Sequence, residues 1–205
     1  MSGGATPGRR LRTGLVRATA AAIVGLVALA ALAIWLATRP PTWWSPVVVD
    51  VAAADRGAAF EQAIVAEFTR VRQGDGTWAI RIPASQVNDW LAARLPEWLA
   101  SRELPAVGRV QSSMGGGVLQ VGMQRGAFVV WSSAMPMADK GGIRVDRGWS
   151  GVGKLPLPVA GPDWARLVEL GPGRPIPLPD GRSVQVLDLE VLDGEIRLLL
   201  KTVGR

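Results

Sequence analysis

From residue 18 to residue 38 the chain carries no charged side chain, and Ala, Leu, Val and Ile fill most of the run. As an α-helix these 21 residues rise about 31 Å, the hydrocarbon thickness of a bilayer. The run therefore predicts a transmembrane helix over 18–38. The alternative, a cleaved signal sequence, has a shorter apolar stretch of about 7–15 residues that ends at a small-x-small site. Here Trp35 sits inside the run, and Arg39, Pro40 and Pro41 follow it. Ala21 and Gly25 form one small-xxx-small pair, a spacing that Ala-rich spans also contain by chance.

The net charge of +6 and the pI near 11.1 would suit a nucleic-acid partner if the charge were spread over the chain. It is not. Arg9, Arg10, Arg12 and Arg17 precede the apolar run, Arg39 follows it, and the first acid is Asp50. Residues 40–205 hold 18 basic and 17 acidic side chains, which leaves no footprint for a phosphate backbone and no nucleic-acid partner. The arginines instead report orientation. Positive charge on the N-terminal side makes 1–17 a basic cytoplasmic tail and places 47–205 outside the cytoplasm. The expectation is a single-pass protein of the cell inner membrane with a periplasmic body. Residues 39–46 form a Pro/Trp-rich stem, extended because each proline disfavours helix in its predecessor. Trp35, Trp43 and Trp44 suit the outer membrane–water interface.

The chain has no His and no Cys. Nucleophile pairs built on imidazole or thiol, the usual zinc and copper sites and disulfides are thereby excluded, and no metal or other cofactor is expected. Carboxylate pairs are the remaining acid–base apparatus. Glu61, Glu67, Asp89 and Glu97 lie on helical faces where solvated charge is the default, with no spacing that demands catalysis. Gly115, Gly116 and Gly117 lead into a strand, so they do not form a phosphate loop at a helix N-terminus. The composition points to a binder or scaffold and not to an enzyme.

Beyond the stem, Phe60, Ile64, Phe68 and Val71 recur at helical spacing and predict an amphipathic helix over 55–72. Gly74 to Gly76 breaks it. Trp78, Ile80 and Ile82 then alternate as in a half-buried strand. A second helix begins near Pro83 or Ala84 with the stripe Val87, Trp90, Leu91 and Leu95, and kinks or restarts at Pro96. From Val107 onward the period changes to two. Leu119, Val121 and Met123 alternate, residues 128–131 form an apolar run that suits burial on both faces, and Ile143 and Val145 alternate again. Pro162, Trp164, Leu167 and Val168 predict a short helix ended by Gly171 and Pro172. The proline-rich stretch 171–182 reads as a stiff surface connection, or as a polyproline recognition segment.

Asp193-Gly194 predicts a two-residue type I′ hairpin. Closing strands around it sets Val191 against Ile196, Leu189 against Leu198 and Leu187 against Leu200 on one face, and Glu190 against Arg197 on the other. The fold class is α+β: an N-terminal transmembrane helix followed by one domain with helices packed on a curved antiparallel β-sheet.

Residues 82–92, Ile-Pro-Ala-Ser-Gln-Val-Asn-Asp-Trp-Leu-Ala, resemble the helix opening of single-span bacterial envelope proteins of the YpmS-like family. Gly153-Lys154-Leu155-Pro156-Leu157-Pro158 is similar to a strand end of the same group. Pro83 and Ala84 depart from it, standing where the family often has a capping hydroxyl and an acid. The resemblance implies a lipid-binding-like curved-sheet module whose concave side holds helices and an apolar groove. Phe60, Ile64, Phe68, Val87, Asn88, Trp90, Leu91 and Trp131 are its candidate lining, although packed core would be lined by the same residues. Asn88 is the only Asn in the chain. Its amide serves either a ligand head group at the groove mouth or the backbone of a neighbouring segment. The functional expectation is a membrane-anchored extracytoplasmic module binding a lipid or other apolar ligand in the bacterial envelope. The alternative is a non-catalytic scaffold or accessory subunit with envelope protein partners.

Overall fold

The computed structural model describes residues 8–70, 76–139, 142–157, 175–178 and 180–203. The apolar run lies in helix α1 (Gly8–Thr38), whose first turns extend into the basic segment. Its 22-residue part Arg17–Thr38 is long and apolar enough to cross a membrane.

Helix α2 (Val51–Thr69) begins earlier than the apolar period indicates, because Asp50 caps it: the Asp50 Oδ1 accepts from the Ala53 N–H at 2.7 Å. Strand β1 (Thr77–Pro83) follows, then α3 (Ala84–Ala93) and α4 (Leu95–Ser101), which restarts the helix with Pro96 in its first turn. Pro83 offers no side-chain cap to α3. The Ala84 N–H instead donates to the Gly194 carbonyl at 2.8 Å, so a distant turn takes the place of a local capping hydroxyl.

The strands form two antiparallel sheets where one curved sheet was expected. Strands β2 (Val110–Gly115), β3 (Val118–Arg125), β4 (Phe128–Asp139), β5 (Gly142–Val152) and β6 (Leu155–Leu157) make a meander in that order. The second sheet has the order β1-β9-β8-β7, with β7 (Ile176–Pro177), β8 (Ser183–Leu192) and β9 (Glu195–Val203). The division follows from connectivity. β1 is cut off from the meander by α3 and α4 and takes its hydrogen bonds from the last strand. Each sheet then has an apolar face to bury. Ile143 of β5 packs with Ile80, Val184, Val186 and Leu200 of the other sheet, and Ile64, Phe68 and Val145 close around them. The short helix expected near Pro162, and residues 171–174 and 179 of the proline-rich stretch, lie outside the described residues.

The final hairpin has the expected register at Val191–Ile196, Glu190–Arg197 and Leu189–Leu198, but Leu200 pairs with Val186 and not with Leu187. A bulge lies between Val186 and Asp188, with Leu187 as the extra residue. The apolar phase of β8 changes there, from 184 and 186 to 189 and 191, whereas 196, 198 and 200 keep one phase along β9. The turn also differs from type I′, since Gly194 alone has a positive φ, 78°. Asp193 Oδ1 accepts from the Gly116 N–H at 3.1 Å, and the Gly194 N–H donates to the Met114 carbonyl at 3.0 Å, so contacts with the β2–β3 turn set its shape. Residues 128–131 are not buried on both faces: Val129 is buried, but Phe128 and Val130 are 41% and 39% exposed.

Candidate functional site

The feature that organises the molecule is the joint between α1 and the sheets. The last carbonyls of a helix lack intrahelical donors. Here the Leu36 carbonyl accepts from the backbone N–H of Lys154, in the β5–β6 turn, at 2.9 Å. The neighbouring Gly153 makes this approach possible. Its φ is +58°, and a Cβ on it would stand 2.6 Å from the Leu36 carbonyl oxygen and 2.5 Å from that of Arg39. The turn is fixed from behind, because Gly153 N–H donates to the Val129 carbonyl at 2.7 Å and Trp131 Nε1 donates to the Gly153 carbonyl at 2.8 Å.

From this point the connecting segment runs as a strap across one face of the five-stranded sheet. Gln111, Gly122, Trp131, Gly151 and Pro156 are successive cross-strand partners from β2 to β6, so they form one rank on that face. Trp43 and Trp44, edge to face at 6.0 Å, lie over Gly122. A Cβ there would come within 2.7 Å of Trp43 Cη2 and 3.0 Å of Trp44 Cζ3. The Trp131 ring fills the equivalent space above Gly151. Gln111, buried, accepts from the Ser45 N–H at 2.7 Å with Oε1 and donates to the Trp43 carbonyl at 3.0 Å with Nε2. Its amide thus pairs with the strap as another peptide group would.

The three tryptophans expected at the outer interface differ in what they cover. Trp43 and Trp44 are half-buried on the sheet, where the glycine-sized gap at Gly122 gives their rings apolar surface to cover. Trp35 stays 52% exposed, with the Arg39 guanidinium 5.4 Å from its ring centroid.

The opposite face of the sheet meets α3. Asn88 Oδ1 accepts from the Ser112 N–H at 2.7 Å and from its hydroxyl at 2.9 Å, and Nδ2 donates to the Ser112 carbonyl at 3.0 Å. Since Ser112 adjoins Gln111 in β2, consecutive residues of one edge strand bind α3, through Ser112, and the strap, through the Gln111 amide. Beside Asn88 is the buried Asp89, whose carboxylate receives Arg56 Nε at 2.7 Å and Nη2 at 3.0 Å. This hydrogen bond is the main cause of the raised pKa of Arg56. It ties α2 to α3 where Gly57 lets the helices close: a Cβ on Gly57 would lie 3.2 Å from the Asp89 carbonyl oxygen.

Among the described residues, the candidate groove residues are spread over the core, the helices and the strap side of the sheet. Ile64 and Phe68 pack against the core, with Phe68 edge to face on Trp78 at 6.1 Å. Phe60, Val87, Trp90 and Leu91 are half-buried on α2 and α3, and Trp131 lies across the sheet on the strap side. Leu91 lines a cleft of about 260 Å³ with Pro46, Val47, Pro96 and Arg109. A separate apolar slot of about 80 Å³, bounded by Leu119, Val121, Pro136, Val145, Leu189 and Ile196, lies between the sheets.

The helical acids are ion-paired. Glu61 meets Arg94 at 3.2 Å, Glu97 contacts the same arginine, and Glu67 meets Arg70 at 3.6 Å. Among the described residues, no group of three or more His, Cys, Asp or Glu could hold a metal ion. The joint residues Gln111, Gly122 and Gly153 are absent from the sequence-based candidates. Only Gly122 carried a signal, an isolated glycine within strand alternation, which marks a close approach by other groups. Comparison with family models, curated proteins and solved structures finds no match to this chain.

Proposed function

We propose that the protein is a single-pass, membrane-anchored scaffold or adaptor of the bacterial envelope, with its N-terminus in the cytoplasm and its α+β body outside. The observation that carries this reading is the bond from Lys154 to Leu36, reinforced by the strap. A ligand carrier that must reach or release cargo gains from a loose tether. A module that presents a surface at fixed height and orientation gains from a rigid one, and here span and sheet are bonded without a slack linker. Exposed apolar side chains are available on the meander away from the joint: Met135, Met137 and Trp149 are 37%, 48% and 65% exposed. Methionine and tryptophan are the residue types that protein interfaces favour.

The test is a photo-crosslinking residue at Met137 in the full chain, in cells, with one at Gln62 of α2 as reference. The scaffold reading expects a discrete protein adduct at 137 that Met135→Glu removes and that position 62 lacks. Lipid adducts alone, or no adduct at 137, would overturn it.

A lipid or other apolar ligand is the second reading, favoured by the 260 Å³ cleft with its apolar wall and one arginine. That volume lies just under the roughly 300 Å³ at which ordinary ligand sites begin, and the 80 Å³ slot is far below it. Native mass spectrometry of the full chain, with one lipid retained per protein, would favour this reading over the first.

A further inference from the structure

We infer that the end of the five-stranded sheet next to α1 is a second membrane contact, a basic and partly apolar rim that docks on anionic lipid headgroups. The inference rests on the reading of α1 as a span.

Register places the elements of this rim. Arg125 pairs with Phe128 at the β3–β4 turn, Val130 pairs with Val152 just before the β5–β6 turn, and Val110 at the start of β2 pairs with Met123. These turns and the start of β2 therefore share one end of the sheet, and it is the end whose Lys154 N–H is bonded to the last turn of α1. If α1 crosses a bilayer, this end lies at the headgroup level.

Its chemistry suits that level. Arg39, Arg109, Arg125 and Lys154 are all exposed. None of the four is ion-paired among the described residues, whereas Arg56, Arg94, Arg144, Arg182 and Arg197 each pair with a carboxylate. No acid occurs between Glu103 and Asp139, so the sequence that builds this end of β2, β3 and β4 has nothing to neutralise it. The body is close to neutral as a whole. Arg81 on β1, Arg102 after α4 and Lys201 on β9 also lack an ion pair among the described residues, but each stands alone on its element, whereas four such groups meet where the span ends. Phe128 and Val130, on one face of β4, add exposed apolar surface beside the basic groups. Basic side chains next to a half-exposed aromatic are what an anionic interface attracts. Attraction of this kind is screened by salt, with a Debye length of about 10 Å at 0.1 M.

Because the chain has no cysteine, a single introduced thiol reports one position. Full-length protein is placed in phosphatidylcholine nanodiscs with or without phosphatidylglycerol, and a fluorophore on Ala127→Cys, in the β3–β4 turn, is quenched by headgroup-labelled lipid. Leu192→Cys, beside the turn that contacts Gly116 at the far end of the sheet, is the reference, and Leu29→Cys with acyl-chain quenchers reports insertion. The expected result is quenching at 127 at least twofold above that at 192 when phosphatidylglycerol is present. High salt should reduce it, and so should the triple substitution Arg109→Gln, Arg125→Gln and Lys154→Gln at an unchanged melting temperature. Quenching at 127 no greater than at 192, with 29 quenched, would refute the docking and leave the anchor standing. Equal quenching at 127 with and without phosphatidylglycerol would refute the anionic preference. An unquenched label at 29 would instead remove the span, and the docking with it.

Discussion

Gln111 and Gly122 are direct cross-strand partners on β2 and β3, and both hold the same segment, one by its amide and the other by its missing side chain. A membrane-facing helix could be joined to a folded body by any flexible chain. Here residues 43–45 are instead treated as part of the sheet's surface, with their backbone paired and their rings packed.

Gln111→Ala removes both partners of the strap, the acceptor for Ser45 N–H and the donor for the Trp43 carbonyl. Ser45 is exposed and Trp43 half-buried, so each lost bond costs about 1 kcal/mol, the net value of an ordinary hydrogen bond, which shifts the melting point of a chain this size by roughly 2–4 °C. The variant should melt several degrees lower in detergent and should exchange the Ser45 amide hydrogen faster. Unchanged exchange at Ser45 would mean the strap is held by its rings alone.

Gly122→Ala tests the rings. The new methyl group would meet Trp43 Cη2 at 2.7 Å, so at least one indole must move outward. Overpacking of this kind costs about 1–3 kcal/mol. The expected readout is a red shift in tryptophan emission together with destabilisation. Gly76→Ala, where a Cβ meets nothing within 4 Å, is the comparison and should show neither.

Asn88→Ala leaves the Ser112 N–H without its acceptor, for an expected loss of about 1–3 kcal/mol in thermal melts. Asn88→Asp keeps an acceptor for the N–H but sets a carboxylate oxygen against the Ser112 carbonyl, so it should recover only part of the loss. If both variants melt like the parent, the amide is free for a ligand and does not act as a clamp on β2.

Local patterns were legible in the sequence, and pairings between distant segments were not. The spacing of Phe60, Ile64 and Phe68 marks α2, and the alternation of Trp78, Ile80 and Ile82 marks β1, because period depends only on neighbours. Three pairs of the last hairpin follow from one turn for the same reason. Alternation does not say which strand is the partner, so the pairing of β1 with β9 and the division into two sheets were out of reach. Trp43 and Trp44 read as interfacial because they follow an apolar run. The sheet surface they cover, at Gly122, lies almost eighty residues later and could not be read from that position. Trp131 shares its apolar type with Trp90, but only register puts the two on opposite sides of the meander.

The bulge at Leu187 was readable in principle, from the phase change between Val186 and Leu189. Deleting Leu187 should merge the two phases into one alternation against an unbroken β9, and the variant should keep a cooperative melt. Deleting Leu199 would instead turn half of β9 over, since a one-residue slip sends every following side chain to the other face. That chain should lose its melting transition. Equal damage from both deletions would show that the bulge itself, and not the phase of the apolar residues, holds β8 in place.

Acid should also loosen the join between α2 and the turn that holds Asp180 and Arg182. Arg182 donates from Nη2 to the Thr69 carbonyl at 3.1 Å, at the C-terminal end of α2, and from Nε to Asp180 Oδ2 at 2.7 Å. The side-chain hydrogen bond from Arg182, followed by its backbone N–H bond, holds the Asp180 carboxyl below its ordinary value of 3.8. A carboxyl with a depressed pKa binds fewer protons in the folded than in the unfolded chain over the interval between the two values. Its contribution to stability is therefore complete above the ordinary value and is lost as pH falls through the lowered one. Hydrogen exchange at the last turn of α2 should rise over that acid interval in the parent. In Asp180→Asn the exchange should start higher at neutral pH and change less with acid. If the two profiles are parallel, the orientation of Arg182 toward α2 does not depend on Asp180.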